Sequence, residues 1–410
     1  MPTSSARIDA SITAIAHGQP VVVADHPGRE NEGDLIMAAE KITADQVAFF
    51  VRHTSGIICV PLLADRLEQL QLPLMVRDNT ESHRTAFTVT VDWKHGTTTG
   101  VSAADRAATI RALADPAAPA NGFARPGHIF PLLSQPAGVL ARPGHTEAAV
   151  DLVRMAGLYP AGVLCEIVND DGTMARGVQL EEFARRHRLP FITIPELVAY
   201  RRKNERLVIK GATARLPTSH GHFTAHVYRS ILDGIEHIAL VKGEVRDRGN
   251  VLVRVHSECV TGDILGSLRC DCGQQLENAL ARIGREEAGV VLYLRNQEGR
   301  GIGLTDKLRA YALQDEGLDT VQANERLGLP VDARTYDVGA QILTDLGLTS
   351  IRLLSNNPAK IHGLEDYRLR IVERVPLLTT PTCENQAYLR TKQLKLGHLL
   401  DLGVERVGLS

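Results

Sequence analysis

Apolar positions along the chain switch repeatedly between a helical and an extended period. Ile8, Ile12 and Ile15 share one helical face, and Gly18 is placed to end that helix. The run 20–25 (PVVVAD) predicts a buried strand, and strand-like runs recur at 57–62, 86–91 and 162–168. Helical patterns alternate with them at 43–53, 102–113, 146–155 and 179–187, and Ser102 followed by Asp105 fits a capping box. Around 200–216 the character changes. YRRKNER ends a helix on a charged stretch, and LVIKGATARLPTSHGH carries turn residues with little helical period. A second series then follows, with strands at 223–228, 237–245, 251–256, 290–295 and 351–354 and helices at 274–285, 305–316 and 338–346. The alternation predicts an α/β (α+β) chain of two layered αβ domains in tandem, residues 1–205 and 206–410, each of ordinary domain size.

Composition then narrows the functional classes. Lys and Arg total 46 against 48 Asp and Glu, a formal net charge of −2, and the aromatics are 8 Phe, 8 Tyr and 1 Trp. Neither a basic face nor a stacking platform is indicated, so nucleic acid is not an expected partner. No apolar run approaches the ~18–20 residues of a membrane span. Arg7, Asp9 and His17 interrupt the first apolar stretch, which argues against a signal peptide, and a cytosolic location is expected. Six cysteines in 410 residues are too few for a disulfide scaffold. Three of them, Cys259, Cys270 and Cys272, fall within fourteen residues, a spacing that points to metal or catalysis.

In the first half, HPGRENEGDLI places Arg29, Glu30, Glu32 and Asp34 directly after an apolar strand, where α/β folds build their sites. Closely spaced carboxylates attract a hard divalent cation, although a charge cluster alone is equally a solvated loop. RPGHT (Arg142, Pro143, Gly144, His145, Thr146) opens a helix whose free N–H groups suit a phosphate. CEIVNDDGTMAR presents Glu166 near a strand end, PGHIFP supplies His128, and TTTGVSAADR supplies Thr99, Ser102 and Asp105.

RENEGDLI, TTGVSAADR, FARPGHIFPL, RPGHTEAAVDL and CEIVNDDGTMAR, in this order, closely resemble 3,4-dihydroxy-2-butanone 4-phosphate synthase of riboflavin biosynthesis, over residues 8–203. The resemblance implies that Glu30 and His145 hold Mg²⁺ or Mn²⁺. It also implies that Arg29, Glu30, Asp34, Arg142, Pro143, Gly144, His145, Thr146 and Glu166 bind ribulose 5-phosphate, and that His128 and Glu166 are needed for catalysis. Loss of carbon 4 of the sugar as formate runs through enediols, which require a divalent ion and groups that move protons on and off carbon. Which carboxylate takes the first proton is left open. One departure is Asn121–Gly122 before FARPGH, where the family pattern leads us to expect an acidic residue.

In the second half, Cys259, Cys270 and Cys272 offer three soft ligands without a second close pair, the pattern of a catalytic zinc with an open position. Cys383 lies far downstream in a polar segment. The strand GVVLYLR leads into NQEGRGIGL, a glycine-rich turn that fits neither the dinucleotide fingerprint nor a Walker A loop. RVHSEC, SLRCDCG, EGRGIGL, KLRAYALQDEGLDT, Asp332 with Arg334, and LLSNNPAK together closely resemble GTP cyclohydrolase II, over residues 206–400. That resemblance implies Zn²⁺ on Cys259, Cys270 and Cys272, with Mg²⁺ accompanying GTP. It places Arg254, Val255, His256, Ser257, Glu258, Gln275, Glu298, Gly299, Arg300, Thr320, Ser355 and Lys360 at GTP-binding positions. Asp332 matches the general base. Arg334 matches a residue proposed as nucleophile toward the α-phosphate, with charge stabilisation as the alternative because guanidinium stays protonated. LRNQEGR has two residues between Arg295 and Glu298 where one is expected. The tail 385–400 reads as a basic structural helix.

The domain order is that of bifunctional riboflavin enzymes, and a homodimer with sites shared across its interface is the expected assembly. The alternatives are a chain with one active domain and one scaffold, or a zinc-dependent binding protein.

Overall fold

A computed structural model describes residues 3–365, 367 and 369–400. The chain divides into two compact units, Met1–Asn204 and Glu205–Ser410.

The first unit is built on strands β1 (Val21–Ala24), β2 (Gly33–Ala38), β3 (Cys59–Leu62), β4 (Val91–Trp93), β5 (Phe123–Leu133), β6 (Gly162–Glu166) and β7 (Phe191–Thr193). They form one mixed sheet in the order β4-β5-β3-β6-β2-β1-β7. β1 and β2 are wholly buried; β1 is accordingly a continuous apolar run (VVVA), while β2 (GDLIMA) is apolar from Leu35 onward and carries Asp34 at its start. The helix Ser4–Ala16 ends as expected, with Gly18 left-handed at φ 73°. Ser102 caps the helix Ala103–Ala114 by accepting from the Asp105 N–H, but the Asp105 carboxylate turns instead to Thr98 and the Gly100 N–H. Two expectations fail here. Residues 86–91 contribute mostly isolated bridges, at Phe87 and Thr88, before β4 starts at Val91. The acidic loop is shorter than its charge suggests, because Asp34 already lies on β2.

The second unit carries β8 (Val208–Thr218), β9 (Gly221–Ser230), β10 (Glu236–Lys242), β11 (Val251–Ser257), β12 (Gly289–Leu294), β13 (Ser350–Leu354) and β14 (Arg370–Val375), in the order β14-β13-β11-β12-β10-β9-β8. The stretch read as turn-rich is in fact β8, an edge strand exposed over nearly its whole length. Its Lys, Arg and Pro residues suit an unpaired edge, and with both faces wet it has no alternation to betray it. On β11, Val251, Val253 and Val255 point into one core layer, while Leu252 packs into the other with Ala279 and Ile283 of the helix Cys272–Gly284. Period two therefore puts Arg254 and His256 on that second face. β11 is parallel to both β12 and β13, and the chain leaves β11 toward β12 but leaves β13 toward β14. The crevice between β11 and β13 is thus a topological switch point, where α/β sheets place ligands.

Candidate active sites

The first site gathers at the β1–β2 turn. Asp25, just past β1, accepts from the backbone N–H groups of Glu30 and Glu32, each at 3.0 Å, and from Arg29 Nη1 at 3.1 Å. This fixes the loop so that Arg29 also pairs with Glu30 (3.0 Å). Asp34 stands directly opposite Glu166 across β2 and β6, and Ser55 Oγ donates to Glu166 Oε2 at 2.6 Å. His145 opens the helix His145–Met155. Its Nε2 lies 3.1 Å from the Val23 carbonyl, which as acceptor fixes the proton on that nitrogen. Nδ1 is left with a lone pair facing Glu30 Oε2 and Asp34 Oδ1, each 3.9 Å away. Burial lowers the His145 pKa to about 4, so the ring is neutral and able to ligate.

Asp25, Glu30 and His145 bring ligand atoms within 4.8 Å of one another. Two carboxylates and one oriented imidazole suit a divalent cation, with the Val23 carbonyl as the outer partner such a histidine needs. Asp34 Oδ1 is buried without a hydrogen-bond partner and faces the same point. Burial, followed by Glu166, Glu30, Glu32 and Asp25, pushes the Asp34 carboxyl well above the carboxylate range.

Beside this cluster, Arg142 pairs with buried Glu147 (2.8 Å) and donates to His83 O and Thr85 Oγ1. Gly144 caps the helix with no side chain closing the end, and Thr146 is buried in its first turn. A Cβ on Gly144 would lie 2.8 Å from Arg142 Nη1, 3.1 Å from Glu147 Oε2 and 3.3 Å from Arg29 Nη2, so both arginines converge near the open N–H groups, with the Glu147 carboxylate beside them. Two arginines beside open helix N–H groups are the kind of arrangement that suits an anion. Pro143 is exposed.

His128 does not join the group within one chain. Its imidazole pairs with Asp92 at 2.7 Å, nearly half exposed on β5. The Asn121–Gly122 departure is explained by packing, because a side chain at Gly122 would strike Trp93. Asp25 and His83, which lies 3.6 Å from Glu30, were missed from sequence. Asp25 was hidden as the last residue of a strand, although a carboxylate at a strand's C-terminal end was the available signal.

The second site lies at the switch point. Cys259, Cys270 and Cys272 converge with ligand atoms within 4.8 Å, and Cys259 and Cys270 Sγ are 3.7 Å apart. A Cβ on Gly262 would sit 2.7 Å from Cys270 Sγ and 3.2 Å from Cys259 Sγ, so the absent side chain leaves the cradle a soft ion would fill. Hydrogen bonds from Cys270 and Cys272 lower the Cys259 pKa, and in return Cys270 is raised to about 11. Lys307 Nζ donates to Cys259 Sγ at 3.1 Å and to Thr261 Oγ1 at 2.7 Å, and also pairs with Glu298. Cys383 is exposed and not part of the trio.

Beyond the thiols opens a cleft of roughly 1020 Å³, counting its mouth. Arg254, His256, Ser257, Glu258, Gln275, Gly299, Arg300, Thr320, Ser355 and Lys360 line it, together with Arg334. Three expected positions act from behind the wall. Val255 is core, and its carbonyl accepts from Lys360 Nζ at 2.9 Å. Glu298 receives Lys307 and the Val260 N–H. Asp332 holds Arg334 through both carboxylate oxygens, with Arg334 Nε at 2.8 Å. Burial opposes the Arg334 charge, yet Asp332 raises its pKa and keeps it cationic.

Lys360 is driven well below the ordinary lysine value by burial and by Arg254 and Arg334. Arg300 Nη2 is buried without a partner. Gly299 and Arg300 both take left-handed backbone (φ 59° and 64°), and Asn296, in the turn that is one residue longer than expected, is left-handed too. Crowded cations with an unsatisfied donor await an anion. Sequence reasoning missed Lys307, Tyr311, Asn324, Tyr388 and Lys392 in this lining, and the tail it took as merely structural supplies the last two.

Two sheets, each carrying a cluster of side chains able to hold a metal beside cationic groups, define a two-domain enzyme acting on small molecules. Residues 9–200 match the family model of 3,4-dihydroxy-2-butanone 4-phosphate synthase, and residues 210–376 that of GTP cyclohydrolase II. Riboflavin biosynthesis protein RibBA of Salinispora arenicola is 59% identical over 97% of this chain and 95% of its own. A bifunctional riboflavin biosynthesis protein of Arabidopsis thaliana, RIBA 1, is 58% identical over 96% of this chain and 73% of its own. A crystal structure of RibBX, a two-domain 3,4-dihydroxy-2-butanone 4-phosphate synthase from A. baumannii, covers 90% of this chain and 99% of its own at 36% identity, with TM-score 0.69. The chain belongs to the bifunctional riboflavin biosynthesis family, a lyase domain followed by a hydrolase domain on one polypeptide.

Proposed function

We propose that the two reactions of this family are divided between the two sites as follows. Residues 1–205 convert D-ribulose 5-phosphate to L-3,4-dihydroxy-2-butanone 4-phosphate and formate. Residues 206–410 convert GTP to 2,5-diamino-6-(5-phospho-D-ribosylamino)pyrimidin-4(3H)-one, formate and pyrophosphate. The observation that carries the assignment is the pair of donor sets, one oxygen and imidazole, one all thiolate.

In the synthase domain Glu30 and His145, with Asp25, would hold Mg²⁺ or Mn²⁺, which when bound polarises adjacent sugar oxygens. Arg142, Arg29 and the N–H groups after Gly144 bind the phosphate. Asp34, whose pKa is raised and whose Oδ1 is unpartnered, favours holding a proton, and Glu166, fixed by Ser55, is the carboxylate placed to accept one. His128 would reach substrate from a second copy, which makes the homodimer part of this reading.

In the cyclohydrolase domain the three cysteines would hold zinc, which when bound supplies an acidified water for attack on carbon 8 of guanine. Arg300, Lys360 and Arg254 bind the triphosphate, with Mg²⁺ as its counter-ion. The bidentate pairing of Arg334 with Asp332 keeps it protonated, which favours charge stabilisation over nucleophilic attack. A cytosolic location fits the six free thiols. Formate measured separately from ribulose 5-phosphate and from GTP, with metal analysis of the same protein, tests the reading. Formate from only one substrate would reject it.

A further inference from the structure

The cyclohydrolase family match ends at residue 376, yet the chain after it is tied into three separate loops of the cleft. Lys392, on the helix Gln386–Lys395 and buried, donates to Asp271 Oδ1 at 2.7 Å. Asp271 stands between the zinc-ligand candidates Cys270 and Cys272, itself 1% exposed. Its other oxygen accepts from Gln275 Nε2 at 2.6 Å and from Thr379 Oγ1, also in the tail, at 3.2 Å. Lys395 pairs at 2.5 Å with Asp319, whose carboxylate caps the helix that starts at Thr320. Asn356, beside Ser355, is bracketed: its Nδ2 donates to Leu377 O at 2.7 Å, and its carbonyl accepts from Leu399 N at 2.8 Å. Tyr388, Lys392 and His398 then form part of the cleft wall.

We infer that residues 377–400 are a strap that assembles the GTP cleft, and that Lys392 is a positioning residue which holds the Cys270–Cys272 loop in register through Asp271. The inference rests on the reading of the thiol trio as a zinc site and of the cleft as the GTP site. A carboxylate flanked by two ligands cannot move without carrying both sulfurs with it. Among the described residues, the side chains that reach Asp271 directly from outside its own loop and helix are both in the tail, Lys392 and Thr379; Gln275 lies one helical turn away and links Asp271 onward to Arg254. Burial works against the Lys392 charge, but Tyr388 and Asp271 hold its pKa above the ordinary lysine value. Its ammonium also sits 4.4 Å from the Tyr388 ring centre, so the cation is fixed from two sides.

The test is zinc release from the metal-loaded full chain into a chromogenic chelator, read beside kcat and KM for GTP. Lys392→Met, which keeps the stem and removes the ammonium, should release zinc roughly 10- to 100-fold faster, the range for loss of an outer partner. Lys392→Arg should recover part of that, and ribulose 5-phosphate turnover should stay at the parental value. Lys392→Met with Asp271→Asn should be no worse than the more affected single change, because both act on one link. Thr379→Val, a milder change on the same carboxylate, should speed release by a few-fold and decides the matter if Lys392→Met does not fold. Parental release rates in these variants would overturn the inference while leaving the zinc reading intact. A parent with no more zinc than Cys270→Ser would overturn both.

Discussion

The two sites solve opposite electrostatic problems. Around Asp34 the first unit assembles Asp25, Glu30, Glu32 and Glu166 against Arg29 and one neutral histidine, so carboxylates outnumber cations and, with burial, raise the Asp34 pKa. Around Lys360 the second unit assembles Arg254 and Arg334, with Arg300 unsatisfied nearby, so positive charge is in excess and Lys360 gives way by weakening its hold on one. The carboxylate cluster of the first site suits a cation, and the basic cleft of the second suits an anion. A sugar phosphate handled through its oxygens suits a hard ion among carboxylates, whereas a triphosphate brings its own negative charge and leaves the metal to thiolates. The donor sets are separate enough to be broken one at a time.

The largest effect should come from removing one ligand on either side. Cys270→Ser should abolish formate from GTP, a loss beyond the ~100-fold of an outer-partner change, and spare formate from ribulose 5-phosphate. Glu30→Ala should do the reverse. If one substitution silenced both reactions, the sites would not be independent and the comparison would fail. Next in size is a stability change confined to the first unit. Arg201 and Asp151 form a pair at 2.5 Å with side chains 3% and 2% exposed, and Arg201→Ala would remove the buried cation from Asp151, leaving it the half-exposed Arg154 and the Val139 N–H. A cost of about 3–5 kcal/mol is expected. Trp93 is the chain's one tryptophan and lies in this unit, so its fluorescence should report the earlier melting while zinc release stays unchanged. Gly262→Ala should follow, because its methyl would press on Cys270 Sγ at 2.7 Å. We expect zinc affinity to fall roughly 10- to 100-fold, with metal binding by the synthase domain unaffected.

What the sequence disclosed follows the same division. Apolar strands such as β1, β11 and β12 were legible because burial writes itself as hydrophobicity, and the trio of cysteines because thiols are scarce. β8 was illegible because an exposed edge strand buries too little to leave a pattern. Asp25 was read as the end of a strand and Lys392 as one more charge on a basic helix. Their importance comes from partners 5 and 121 residues away, which only folding brings near. Val255 and Glu298 erred the other way. They sit in runs where neighbouring residues face the cleft, but pleat and loop geometry turn these two toward the core and toward Lys307.

The smallest expected effect is a pH dependence that separates the histidines of the two units. His256 is 1% exposed on β11, accepts Arg254 Nη2 at Nδ1 and faces Asp263 through Nε2, and burial lowers its pKa to about 4. In the unfolded chain the same ring titrates near the ordinary histidine value of about 6.5. Below that pH the unfolded state takes up a proton the native state refuses, so stability rises with pH between about 4 and 6.5 and is lost as pH falls through that window. Going from pH 7 to pH 5 this one ring should cost the second unit about 2 kcal/mol. His145 shares the depressed value, but as a ligand its proton competes with the metal, so loading the first site should deepen its pH dependence. His256 is not a ligand. Replacing it by Gln should flatten the acid limb of unfolding in the second unit, followed by zinc release, and leave the Trp93 transition as it was. An acid limb that survives His256→Gln would assign the loss to other groups of that unit.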